Sequence, residues 1–72
     1  MTNAPELAEA MRHEDALRRL ACMLHLGGAD ADDAVQHALT QVALGKRPTG
    51  MPLWAFLRAT LRHHAFNLQK LA

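Results

Sequence analysis

The chain has 72 residues, which limits it to one domain and leaves little interior volume for an enclosed catalytic site. Half of the residues are hydrophobic, but 14 are alanine and only three are aromatic, so the core is predicted to be thin. The net charge of +1 favours neither nucleic acid nor a membrane surface as a partner. Because alanine and leucine favour helices and β-branched residues are scarce, we predict an all-α fold, a small bundle of three or four helices.

The charges are divided along the chain. All seven carboxylates precede position 34, where three arginines leave a net charge of −4. From position 46 onward there are five cations and no carboxylate. Two interpretations fit this division: a domain that holds a basic protein surface with one end and a polyanion with the other, or ordinary solvated helix faces.

The first predicted helical segment covers residues 5–26. Pro5 suits a first helical turn, and apolar residues recur at spacings of three and four along the segment. Gly27 and Gly28 are the predicted stop. The polar run at residues 13–15 interrupts the apolar stripe, so both one helix and two helices fit the pattern.

A second helix is predicted over residues 31–44. Asp30 is the expected N-cap, and Asp32 and Asp33 are expected in the first turn, where unpaired amides favour carboxylates. Gly45 stands where a C-terminal glycine cap belongs. The predicted faces are apolar on one side (Val35, Ala38, Leu39, Val42) and polar on the other (Asp32, Asp33, Gln36, His37, Gln41).

The last third of the chain reads as a loop followed by a third helix. Residues 46–52 (KRPTGMP) contain two prolines and a glycine, which predicts an irregular loop. Leucines at helical spacing predict a helix over residues 53–71, whose polar face carries Arg58, Arg62, His63, Asn67 and Lys70. Trp54 and Phe56 follow the basic loop. Aromatic residues beside cations are components of a platform for single-stranded nucleic acid, although aromatic residues at a helix start are more often part of the core.

No set of side chains suggests an enzyme, and we expect no cofactor. His63 and His64 are adjacent, so they lie about 100° apart on a helix, and no histidine pair has the i, i+4 spacing of a helical metal chelate. Cys22 is interpreted as a buried structural thiol. A single cysteine cannot form an intramolecular disulfide, and no apolar run approaches the roughly 20 residues of a membrane span, so a cytoplasmic location is expected.

Two stretches, residues 29–36 (ADADDAVQ) and the pattern FLxxxLRxxxxNxxK beginning at Phe56, carry a family resemblance. They resemble the second domain of bacterial RNA polymerase sigma factors, especially the extracytoplasmic-function group. In that family an acidic motif similar to residues 28–37 opens the helix that docks on the polymerase clamp. The chain differs from the family pattern in having His37 for an acidic residue, His63 for asparagine and Phe56 for tryptophan.

The resemblance extends over about residues 17–70 and implies that different parts of the chain bind polymerase and DNA. The second helix would bind the clamp of core RNA polymerase through Asp32, Asp33, Gln36, His37 and Gln41. Residues 46–52 would capture a base flipped from the promoter. The opened promoter strand would be bound by Lys46, Arg47, Trp54, Arg58, Arg62, His63, Asn67 and Lys70. The implied function is to bind core polymerase and to help recognise and melt promoter DNA in transcription initiation.

Sigma factors of this group also carry a helix-turn-helix domain, which these 72 residues do not supply. The chain is therefore either an excised domain or a protein that keeps the sigma-like shape for another purpose. The alternative function is a helical interaction protein that binds an anti-sigma factor or another protein, or forms a homodimer, without reading DNA.

Overall fold

The computed structural model describes residues 4–71, and the side chains of residues 5–70. Its helices are α1 (Ala4–Met11), α2 (Glu14–Met23), α3 (Gly28–Ala43) and α4 (Leu53–Leu71). The all-α prediction is confirmed, since the described residues form a small helical bundle without strands. α3 and α4 each pack against the other three helices, and the contact between α3 and α4 is the most extensive in the bundle.

The first predicted segment is two helices. Arg12 and His13 form a turn, and their amides bond to carbonyls three residues earlier at 3.1 and 3.0 Å. The His13 carbonyl then accepts the Leu17 amide at 2.9 Å, which begins α2. The His13 ring lies against Trp54 at the start of α4, with the ring centroids 5.3 Å apart. This contact holds the break between α1 and α2 against α4.

α2 ends at Met23, before the predicted glycine stop. His25 takes the left-handed conformation, with φ of 66°. Its amide bonds to the Cys22 carbonyl at 3.0 Å, and the Leu26 amide bonds to the Ala21 carbonyl at 3.1 Å, which completes a Schellman C-cap. The prediction of Gly27 and Gly28 as the stop is wrong because a histidine occupies the left-handed position.

α3 begins at Gly28, three residues before the predicted start. Its N-cap is Gly27, with φ of −75° and ψ of 172°, and the Gly27 carbonyl accepts the Ala31 amide at 2.6 Å. The predicted N-cap, Asp30, lies within the first helical turn, and Asp32 and Asp33 lie beyond it. Both expectations are wrong because α2 terminates before the glycines, which leaves them free to start α3.

The end of α3 and the connection that follows agree with the sequence. Gly45 has φ of 71°, and the amides of Gly45 and Lys46 bond back into α3 at 3.0 Å each, so the predicted glycine cap is confirmed. Residues 46–52 form the predicted irregular loop. Within it the Met51 amide bonds to the carbonyl three residues earlier at 3.2 Å, and Gly50 supplies the positive φ, 89°, that this turn requires.

The buried core is made of leucine, valine and alanine side chains. Its largest fully buried side chains are Leu17, Val35, Val42, Leu57 and Leu61, and all four residues of the predicted apolar face of α3 are buried. Buried alanines let the helix axes approach closely. Cys22 is exposed, so the interpretation of a buried thiol is wrong: it lies about 100° around α2 from the buried Ala21. No helix in the described part of the chain is long and apolar enough to span a bilayer.

Candidate protein and nucleic-acid binding surfaces

One surface, here called the acidic face, is formed by Asp32, Asp33 and Gln36 on the outer side of α3. All three residues are exposed, and the side chains of Asp32 and Asp33 keep 62% and 66% of their accessible surface. The three lie together because positions separated by three and four residues share one side of a helix. The acidic face therefore presents two accessible carboxylates and an amide to a partner.

Both carboxylates of the acidic face already have an intramolecular partner. Asp32 pairs with the guanidinium of Arg18, which also bonds to Glu14 at 2.9 Å. The hydrogen bond to Asp32 raises the pKa of Arg18, and the hydrogen bond to Glu14 raises it to a smaller extent. Asp33 accepts a hydrogen bond from Nε2 of His64 on α4, at 2.8 Å. These pairs fix the position of each carboxylate without covering it.

His37 and Gln41, which were predicted to share the polymerase-binding surface, lie towards α4 and are half-buried. The His37 ring stacks on the His64 ring, with centroids 4.4 Å apart and planes at 19°. Burial lowers the pKa of His37, and the neighbouring His64 lowers it further, with Asp33 acting in the opposite direction. The structure thus divides the predicted polymerase-binding residues between two surfaces.

The second surface is an open groove between α3, the 46–52 loop and α4, with a volume of about 380 Å³. It mixes apolar side chains with an ammonium group, an amide, a hydroxyl and two imidazoles, so it can receive a flat ring and also hydrogen-bond to its edge. The lining residues are His37, Gln41, Lys46, Pro48, Met51, Phe56, Ala59, Thr60 and His63. Sequence reasoning did not identify this groove because it depends on how α3 and α4 pack.

The third surface, here called the basic face, is the outer side of α4. Its members are the exposed residues Arg58, Arg62, His63, Phe66, Asn67 and Lys70. Among the described residues, none makes a hydrogen bond or an ion pair with the side chain of Arg58, Arg62 or Lys70. Sequence reasoning selected all of these residues except Phe66. The sequence did contain a signal for Phe66, because it lies four residues from both Arg62 and Lys70 and so shares their side of the helix.

Two residues predicted to bind DNA have structural contacts instead of a place on the basic face. Arg47 pairs with the Glu6 carboxylate and donates to the Met51 carbonyl at 2.5 Å, which ties the loop to α1. Trp54 is half-buried against the core and against His13. Their contacts stabilise the bundle, which reduces the surface that either side chain offers to a ligand.

No group of three histidine, cysteine, aspartate or glutamate side chains within residues 4–71 is placed to hold a metal ion. Comparison of the chain with protein-family models, with curated proteins and with solved structures finds no match. Any function must therefore be argued from the surfaces themselves and from the sequence motifs.

Proposed function

We propose that the chain is a sigma-factor-like domain that binds core RNA polymerase through the acidic face and binds opened promoter DNA through the groove and the basic face. The observation that carries the proposal is the position of the groove. His37 and Gln41 contribute to it from α3, and Lys46 and His63 contribute from the loop and from α4. A ligand in the groove would thus touch the helix proposed to hold polymerase and the helix proposed to hold DNA.

The acidic face supports the polymerase contact by its charge and exposure. Asp32 and Asp33 are mostly accessible, although each is held by an internal cation or hydrogen-bond donor. A partner with basic or amide groups can bond to the free lone pairs of a carboxylate that is already in position. Because both carboxylates are fixed, little side-chain entropy would be lost on binding.

The groove supports the capture of an unpaired base. Phe56 and Met51 supply apolar surface, while Gln41 and Thr60 supply groups that donate and accept hydrogen bonds. A base taken out of the stack needs both, since its faces are apolar and its edge is polar. Lys46 adds a cation that suits the phosphate of the same nucleotide.

The experiment is capture of core RNA polymerase on the immobilised chain, with and without a promoter fragment whose upstream melting element is already open. We expect polymerase to be retained in both cases and the open fragment to be retained together with it. A matched closed fragment is the control and should be retained less well. Failure of the native chain to retain polymerase would contradict the proposal.

The second candidate function, binding of a protein other than polymerase, would use exposed apolar side chains outside these surfaces. Met11 and Met23 expose 54% and 74% of their surface, and neither belongs to the three surfaces described above. A partner protein would remove these side chains from water, which is favourable for association. If the chain binds no polymerase but captures an anti-sigma factor or forms a dimer, and Met23→Glu weakens that complex, the interaction-protein function replaces the proposed one.

A further inference from the structure

We propose that Phe66 is a stacking platform for an unpaired base of single-stranded nucleic acid, whose phosphates are held by Arg62 and Lys70. The inference rests on the nucleic-acid part of the proposed function and adds a binding residue and a mode of binding to it. It starts from the exposure of Phe66, which keeps 62% of its surface in the middle of the polar side of α4.

The position of Phe66 on α4 sets its neighbours. Arg62 and Lys70 lie four residues before and four residues after it, and His63 lies three residues before it, so all three flank the ring on the helix surface. The two cations are separated by about 12 Å along the helix axis. A nucleic-acid strand that follows the axis can therefore contact both cations while a base lies on the ring between them.

The charge of the surface identifies the ligand as a polyanion. Arg62 and Lys70 are exposed and make no ion pair with any described residue, and α4 contains no carboxylate. An unshielded pair of cations around an exposed aromatic ring is the arrangement that proteins use to bind single strands without sequence preference. An acidic protein helix is less well matched, because the basic face has a single large apolar side chain to offer it.

The basic face is continuous with the groove. His63 and Ala59 line the groove, and both are exposed on the same side of α4 as Phe66. Ala59 lies seven residues before Phe66, about two helical turns, and its small side chain leaves room above the helix. A strand stacked on Phe66 can thus continue towards the groove.

The test is fluorescence anisotropy of a labelled oligothymidylate with the purified chain over a range of salt concentrations. We expect Phe66→Ala to weaken binding by about fivefold to a hundredfold at fixed salt, because this is the loss typical of removing the aromatic partner of one stacked base. The salt slope should not change, since no phosphate contact is removed. Phe66→Trp should keep or increase the affinity. Arg62→Ala combined with Lys70→Ala should reduce the salt slope by about 1.4, since each phosphate contact to a single strand contributes about 0.7.

Leu44→Ala is the matched control, because Leu44 is as exposed as Phe66 but lies at the end of α3. It should bind like the native chain, and circular dichroism should show the same helix content for every variant. Equal affinity of Phe66→Ala and the native chain would overturn the inference, and so would failure of the native chain to bind oligothymidylate. Tighter binding to polyglutamate than to the oligonucleotide would overturn it too. Polymerase capture is measured separately, so its failure is distinguishable from these results.

Discussion

The imidazole rings of His37 and His64 stack across the interface of α3 and α4, with centroids 4.4 Å apart. His64 also donates to Asp33, and His37 lines the groove. The stacked pair therefore joins the acidic face to the groove. The charge of His37 therefore acts at the point where the two surfaces meet.

We expect the bundle to lose stability as the pH falls below about 6.5, the ordinary pKa of histidine. The pKa of His37 is lowered in the fold by burial, then by His64 and, to a lesser extent, His63, against the opposing effect of Asp33. A lowered pKa means that the unfolded chain binds the proton more tightly, so the stability is fully present above this pH and declines below it. Thermal unfolding from about pH 7.5 to about pH 5.5 measures the effect.

His37→Phe is the control for the pH dependence. It keeps a ring against His64 and removes the titrating group, so its melting temperature should fall less over the same pH range. An equally steep decline in this variant would mean that other groups cause the acid sensitivity.

Arg47→Ala should destabilise the fold by about 1–2 kcal/mol, because Arg47 bonds to Glu6 and to the Met51 carbonyl and is two-thirds buried. Lys46→Ala removes the same charge from an exposed neighbour and should change stability by less than about 0.5 kcal/mol. Chemical unfolding compares the two. Equal effects would show that the contacts of Arg47 contribute nothing beyond its charge.

His25→Gly should stabilise the bundle by about 1 kcal/mol, because glycine adopts the left-handed conformation without the steric cost that a side chain brings. Gly45→Ala is the converse, since it places a side chain at a position with φ of 71°, and it should destabilise by a similar amount. Urea denaturation of both variants measures the two changes. A destabilised His25→Gly variant would indicate that the histidine side chain makes a favourable contact.

Leu61→Ala should cost about 2–5 kcal/mol, since Leu61 is fully buried in a core that contains many alanines. In a domain of this size a single hydrophobic core rarely supplies more than about 3–5 kcal/mol, so the variant should be close to unfolding at room temperature. Leu44→Ala removes the same atoms from an exposed site and should unfold like the native chain. A mild effect of Leu61→Ala in circular-dichroism melting would contradict the described core.

The sequence predicts the helices where hydrophobic periodicity is strong. The bounds of α4 and the apolar face of α3 follow from leucines, alanines and valines at helical spacing, and Gly45 marks the end of α3. The start of α3 was mispredicted because capping depends on local geometry. Gly27, and not Asp30, is the cap once His25 has terminated α2.

The candidate surfaces are predictable only in part. The exposed carboxylates of α3 and the cations of α4 lie opposite the apolar stripes of their helices, so the sequence locates them. The groove and the His37–His64 stack need the packing of α3 on α4, and Arg47 is held by Glu6, which lies 41 residues earlier in the chain. Contacts between residues so far apart leave no pattern in a single sequence.

The measurement that tests the central claim most directly is the affinity of the chain for core RNA polymerase, compared among the native chain, Asp33→Arg and His64→Phe. His64→Phe breaks the bond to Asp33 but keeps the carboxylate and a ring against His37. If the acidic face is the docking surface, Asp33→Arg should lose binding to polymerase, while His64→Phe should retain it. Native affinity in Asp33→Arg, or no binding by the native chain, would contradict the claim that the acidic face docks on polymerase.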